Sequence, residues 1–106
     1  MTEMDPVTLF GTRLRALRME AGITQSGLGE TIGLSKPVAS TRINRYELGV
    51  HAPDIRTAQA LADNLGVDLA YFFAEDEGLA RLIRIFGEMS EEERSALLQQ
   101  LEKFEQ

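Results

Sequence analysis

Apolar positions along the chain recur every three or four residues, the spacing of one helix face, and nowhere show the alternation of a strand. Asp5 followed by Pro6 reads as an N-cap and first helical position. Leu9, Phe10, Leu14 and Leu17 then share a face, and Gly22 stops the first helix. Thr24 caps a second helix from Gln25 to Ile32, where Leu28 and Ile32 lie one turn apart. Gly27 and Gly29 each weaken it by about 1 kcal/mol relative to alanine, and a close crossing by another helix is a reason for Gly29. Ser35 and Pro37 open a third helix that runs to about Leu48 and stops at Gly49. Asp54 or Pro53 opens a fourth, with Ala58, Leu61, Ala62 and Leu65 as its stripe. "DLAYFF" is a short fifth helix whose aromatics close the core.

The pattern breaks at "AEDEG", residues 74–78, and resumes with Leu79, Leu82, Ile83 and Phe86. Ser90 with Glu93 forms a capping box that opens a last helix, whose stripe is Leu97, Leu98, Leu101 and Phe104. The expected fold is all-α, a five-helix domain over residues 1–73 followed by a C-terminal helical hairpin over residues 74–106. The two tail stripes either fold back on the domain's core or pair with a second copy. Two helices this short do not bury both stripes against each other alone, and pairing is the favoured reading. The eight stripe residues from Leu79 to Phe104 are then the dimerisation set.

The third helix carries a second message. At 100° per residue, Ala39, Ile43 and Tyr46 fall on one side, and Ser40, Thr41, Asn44 and Arg45 on the other or its flanks. A solvated surface helix more often carries Glu–Lys pairs. This one offers donors and acceptors of several lengths with almost no acid. Two short helices joined by a tight turn, the second exposing such a face, describe a helix-turn-helix unit. Its second helix fits the major groove, where asparagine, arginine, serine and threonine match base edges and threonine also meets thymine methyls. The preceding helix crosses the backbone and offers its N-terminal amides to phosphate.

Charge refines this picture. The net charge of −6 argues against a polyanionic partner at first sight. Residues 1–56, however, hold seven Lys/Arg against six Asp/Glu, a balance of +1, whereas residues 57–106 hold four against eleven, a balance of −7. The acid lies in the second half of the chain, and a duplex feels only the face that docks on it. Chemistry is otherwise sparse. There is no cysteine, the single His51 cannot build a multi-histidine metal site, and no Ser/His/Asp set or phosphate-cradling glycine loop is present. The carboxylates of "EEER" sit in a first helical turn, where they favour the dipole. No cofactor and no enzymatic activity are expected. No apolar run approaches the roughly 20 residues of a membrane span, and "MTEMDPVTLF" lacks the features of a signal peptide, so a cytoplasmic protein without a membrane partner is expected. Some 30 residues after the domain leave little room for a small-molecule effector pocket.

The segments "LRALRMEAGITQ", "IGLS", "INRYELG", "P" and "LADNLGV" occur in an order and spacing that resemble the Cro/C1-type, or Xre-family, helix-turn-helix domain over residues 9–73. The resemblance implies a lambda-repressor-like five-helix domain that binds double-stranded DNA, usually as a homodimer on a palindromic operator, and points to a repressor. It implies base contacts by Ser40, Thr41 and Arg45, with Asn44 beside them, and a phosphate contact by Gln25. The loop after Gly49, with His51, matches a backbone-contacting segment. Arg18 and Glu47 match a pair that forms a semi-buried salt bridge. Between "GLS" and "INRYE" this chain is about four residues longer than the family pattern, with "KPVA" as the excess. Either the turn is enlarged or the third helix gains a turn, and Lys36 comes into play as a phosphate contact. The alternative function is an antitoxin whose tail grips a protein toxin.

Overall fold

The computed structural model describes residues 4–105. The described chain is helical throughout, with α1 Pro6–Ala21, α2 Gln25–Thr31, α3 Lys36–Glu47, α4 Ile55–Leu65, a 3-10 helix Leu69–Phe73, α5 Glu77–Glu88, α6 Glu91–Leu101 and a final 3-10 turn Glu102–Phe104. The expected all-α architecture is what forms. The caps explain most boundaries. Asp5 accepts from the Val7 and Thr8 amides, Thr24 from Gly27, Asp54 from Thr57, and Asp68 from Ala70. Ser90 and Glu93 bond reciprocally at the start of α6, as the capping box requires. The fifth helix of the domain is a 3-10 helix, because five residues between the Asp68 cap and Ala74 leave too short a run for regular α turns.

One core joins α1 to α4 and the 3-10 helix. Phe72 lies at its centre, fully buried with Leu14, Leu28, Ile43 and Leu61, and the rings of Phe10 and Phe72 meet at 4.4 Å. Burying side chains of this size stabilises the fold by roughly 1.5–3 kcal/mol each. Two glycines set how α3 sits. A Cβ on Gly29 would stand 2.6 Å from the Ala39 Cβ, so α2 and α3 cross at the closest approach their backbones allow. A Cβ on Gly11 would collide with the Tyr46 and Glu47 carbonyls. α3 is thereby pinned at both ends, against α2 and against α1.

The domain does not end cleanly at Phe73. Ala74 and Ala80 are buried. Arg13, itself buried, donates to the Ala74 carbonyl at 2.5 Å and lies 3.5 Å from Glu77. Arg84 on α5 bonds both carboxylate oxygens of Glu20 on α1, at 3.1 and 2.9 Å. Tyr71 lies between these guanidinium groups, 5.2 Å from Arg13 and 5.8 Å from Arg84. α5 is therefore docked on the domain. Arg94 fixes the corner into α6 by donating to the Phe86 and Gly87 carbonyls at 2.9 and 3.0 Å. Beyond that corner no residue of α6 is buried.

Candidate nucleic-acid interface

α3 divides by burial into two faces. Ala39, Ile43, Tyr46 and Glu47 are buried, and Ser40, Thr41, Arg42, Asn44 and Arg45 are exposed. Among the exposed residues the directions differ. Thr41 and Arg45, four apart, point directly away from the core. Pro37 and Val38 extend that row toward the helix start. Ser40 and Asn44 lie on the flank that faces α2, and Arg42 on the far flank. From Lys36 to Tyr46 there is no acid, while Lys36, Arg42 and Arg45 are all exposed.

The α2 flank is tied together by one side chain. The Gln25 amide nitrogen donates to Asn44 Oδ1 at 3.1 Å and to Glu47 Oε1 at 3.0 Å, and its oxygen accepts from Ser40 Oγ at 3.4 Å. Both amide hydrogens are thus in use. Glu47 is held in turn by Arg18, Nε to Oε2 at 2.5 Å and Nη2 to Oε1 at 3.1 Å, and Arg18 also donates to the Ile23 carbonyl at 2.9 Å. The hydrogen bonds that Arg18 donates to Glu47 raise its pKa above the ordinary value. Arg18 and Glu47 are therefore paired as expected, with the carboxylate side chain only 2% exposed. A fork of two parallel bonds fixes direction as well as distance. Because α2 and α3 are joined through this relay, the polar flank of α3 is set by packing at the base of the domain.

The helix-turn-helix family model matches residues 14–72, more than half of the chain. The chain belongs to the Cro/C1-type helix-turn-helix family of DNA-binding transcriptional regulators. Among curated proteins it is 29% identical over 94 residues to the cryptic phage CTXphi transcriptional repressor RstR of Vibrio cholerae, covering 84% of this chain and 81% of that one. Among solved structures it is similar to transcriptional regulator BswR, with a TM-score of 0.83 and 38% identity over 88% of this chain and 92% of the other.

The segment "KPVA", expected as the excess over the family pattern, lies inside α3. α3 begins at Lys36 behind Ser35, which is extended and makes no side-chain cap bond, and Pro37 fits the first turn. α2 ends at Thr31 and α3 begins at Lys36, so the connection is short and the segment forms the first turn of α3. Lys36 is the first residue of that turn, and His51 is exposed in the loop after Gly49. Gln25 is the first residue of α2, half-buried, with its backbone amide at the positive end of the helix and its side chain turned to α3.

Arg13 carries a structural role that the sequence reading passed over. The signal was its position, since residues 10, 13, 14 and 17 have the spacing of the α1 stripe. In the tail, Leu79, Leu82, Leu98, Leu101 and Phe104 are exposed, and Ile83, Phe86 and Leu97 are half-buried. Ile85, outside the expected set, is 45% exposed and extends the same apolar surface. Leu69, Phe73, Leu79 and Ile83 line an open groove between the 3-10 helix and α5.

Proposed function

We propose that this regulator is a repressor that binds a palindromic operator as a homodimer in the cytoplasm. Residues 1–73 dock on the duplex and residues 74–106 join the two copies. The observation that carries the reading is the outward row of α3, which is acid-free, cationic and rigidly mounted. Arg45 and Thr41 meet base edges, with Asn44 and Ser40 on the flank nearer α2. The backbone amides at the start of α2, that of Gln25 included, meet phosphate together with Lys36 and His51, while the Gln25 side chain holds Asn44 and Ser40. The repressor assigned to RstR by name supports the direction of regulation. Most of the tail acid and most of its exposed apolar side chains lie on α5 and α6, with Phe104 in the turn that follows, off the reading row. A two-fold arrangement of two such domains sets their reading helices about 34–36 Å apart, one turn of the duplex.

Selection from a random DNA pool, followed by anisotropy on the enriched sequence and light scattering of the free protein, tests this reading. A palindromic consensus, twice the monomer mass, and log affinity falling linearly with log salt are the expected results. No enrichment from the pool overturns the reading of the duplex, and a monomeric chain overturns the role of the tail.

A further inference from the structure

The additional turn of α3 does more than add length. Four residues at 1.5 Å rise add about 6 Å to the helix, close to two base-pair steps of 3.4 Å. That turn places Val38 on the outward row, one turn before Thr41 and two before Arg45, and leaves it 40% exposed. Val38 has no place in the core, because the inward face of α3 is already filled by Ala39 and Ile43 against α2 and α1. Pro37 precedes Val38 in the chain and Thr41 follows one turn later, so helical spacing puts the Val38 methyl groups beside the other apolar groups of the row. Arg42 and Arg45 follow at one and two turns along the same helix, both exposed and able to bond phosphate or base edges. In the major groove the one apolar feature of a base-pair edge is the C5-methyl group of thymine.

We infer that Val38 reads a thymine methyl, one step beyond the bases met by Thr41 and Arg45, and so extends each half-site on the side of the added turn. The inference rests on the proposed docking of α3 in the major groove. Charge and hydrogen bonding contribute nothing to this contact, so it is separable from every other contact of the helix. Removing one methyl from the DNA removes it without altering base pairing or phosphates.

The experiment uses the full chain on its selected operator, with deoxyuridine replacing each thymine of the half-site in turn. For wild type, replacement at one thymine should weaken binding about fourfold, the effect of losing roughly one buried methylene equivalent. In Val38→Ala the same replacement should change affinity by less than twofold. Val38→Thr keeps one branch methyl and should retain part of the preference. Val38 is exposed and its variants leave its backbone bond to Ser35 intact, so thermal melting should match wild type. An enriched operator with no methyl-sensitive thymine, or full sensitivity retained in Val38→Ala, overturns the assignment of Val38 alone. Failure to enrich any sequence overturns the inference together with the DNA-reading function beneath it.

Discussion

α3 and α6 are helices of nearly equal length, twelve and eleven residues, held in opposite ways. α3 buries four residues, is pinned by two glycine crossings, and is tied to α2 through Gln25 and to α1 through the Glu47–Arg18 pair. α6 buries none, and among the described residues its start is fastened by Arg94 and its capping box. Both carry apolar residues at helical spacing. The difference teaches that such a stripe specifies a face in need of a partner without saying where the partner is. In α3 the partner is the same chain. For α6 we propose a second copy of the chain as that partner.

The sharpest way to break this contrast is to truncate one apolar residue in each helix. Ile43→Ala should cost ~2–5 kcal/mol of folding stability, read from the urea midpoint. Leu98→Ala, at a dilution where the chain is monomeric, should stay within about 0.5 kcal/mol of wild type. A comparable loss from Leu98 would show that α6 folds back on its own domain.

Next in size is the ion pair beneath α3. Arg18→Ala leaves the buried Glu47 carboxylate with only Gln25 as its side-chain partner, and should destabilise by about 3 kcal/mol in chemical denaturation. An effect under half a kcal/mol would mean that water replaces the guanidinium and that α3 needs no such anchor.

Two substitutions on the polar side sharpen the comparison between reading and support. Arg45→Ala should lose ~1–3 kcal/mol of discrimination between the operator and a scrambled duplex, measured by competition. Gln25→Ala should weaken operator binding more than binding to random DNA, because its side chain holds Asn44 and Ser40. Equal losses on both duplexes would place the Gln25 amide on phosphate instead.

The smallest effect concerns the junction to α5. The hydrogen bond from Arg84 holds the exposed Glu20 carboxylate below its ordinary pKa of 4.5. A lowered folded-state pKa means that the pair's contribution is present above 4.5 and fades as pH falls below it. The gap in melting temperature between wild type and Glu20→Gln should therefore be small near neutrality and close in acid. A gap that widened in acid would reverse the sign of this coupling.

Much of the domain was legible in the sequence because its determinants are local. Asp5, Thr24, Asp54 and Ser90 cap the helices that they precede, and the stripe of α4 is complete within one segment. The Arg18–Glu47 pair was legible through the family pattern. What escaped notice depends on how distant segments meet. Arg13 finds Ala74 sixty-one residues away, and no periodicity announces that carbonyl. The Gln25 network depends on the angle at which α2 crosses α3, which Gly29 permits but does not spell out. The length excess before "INRYE" fitted an enlarged turn or a longer helix equally well. Pro37 in a first helical turn and extended Ser35 decide for the helix.

The Gln25 relay also bears on the time a bound complex persists. A side chain that must be immobilised on binding costs roughly 0.5–1.5 kcal/mol of rotational freedom. Asn44 and Ser40 have already given up part of that freedom in the unbound protein, held by an amide that is itself held by Glu47. Their ordering entropy then belongs to folding rather than to association. Differences in affinity among related operators arise mainly in dissociation rates. A preordered flank therefore favours slow departure from the correct sequence, and α3 arrives at every duplex already in its reading conformation.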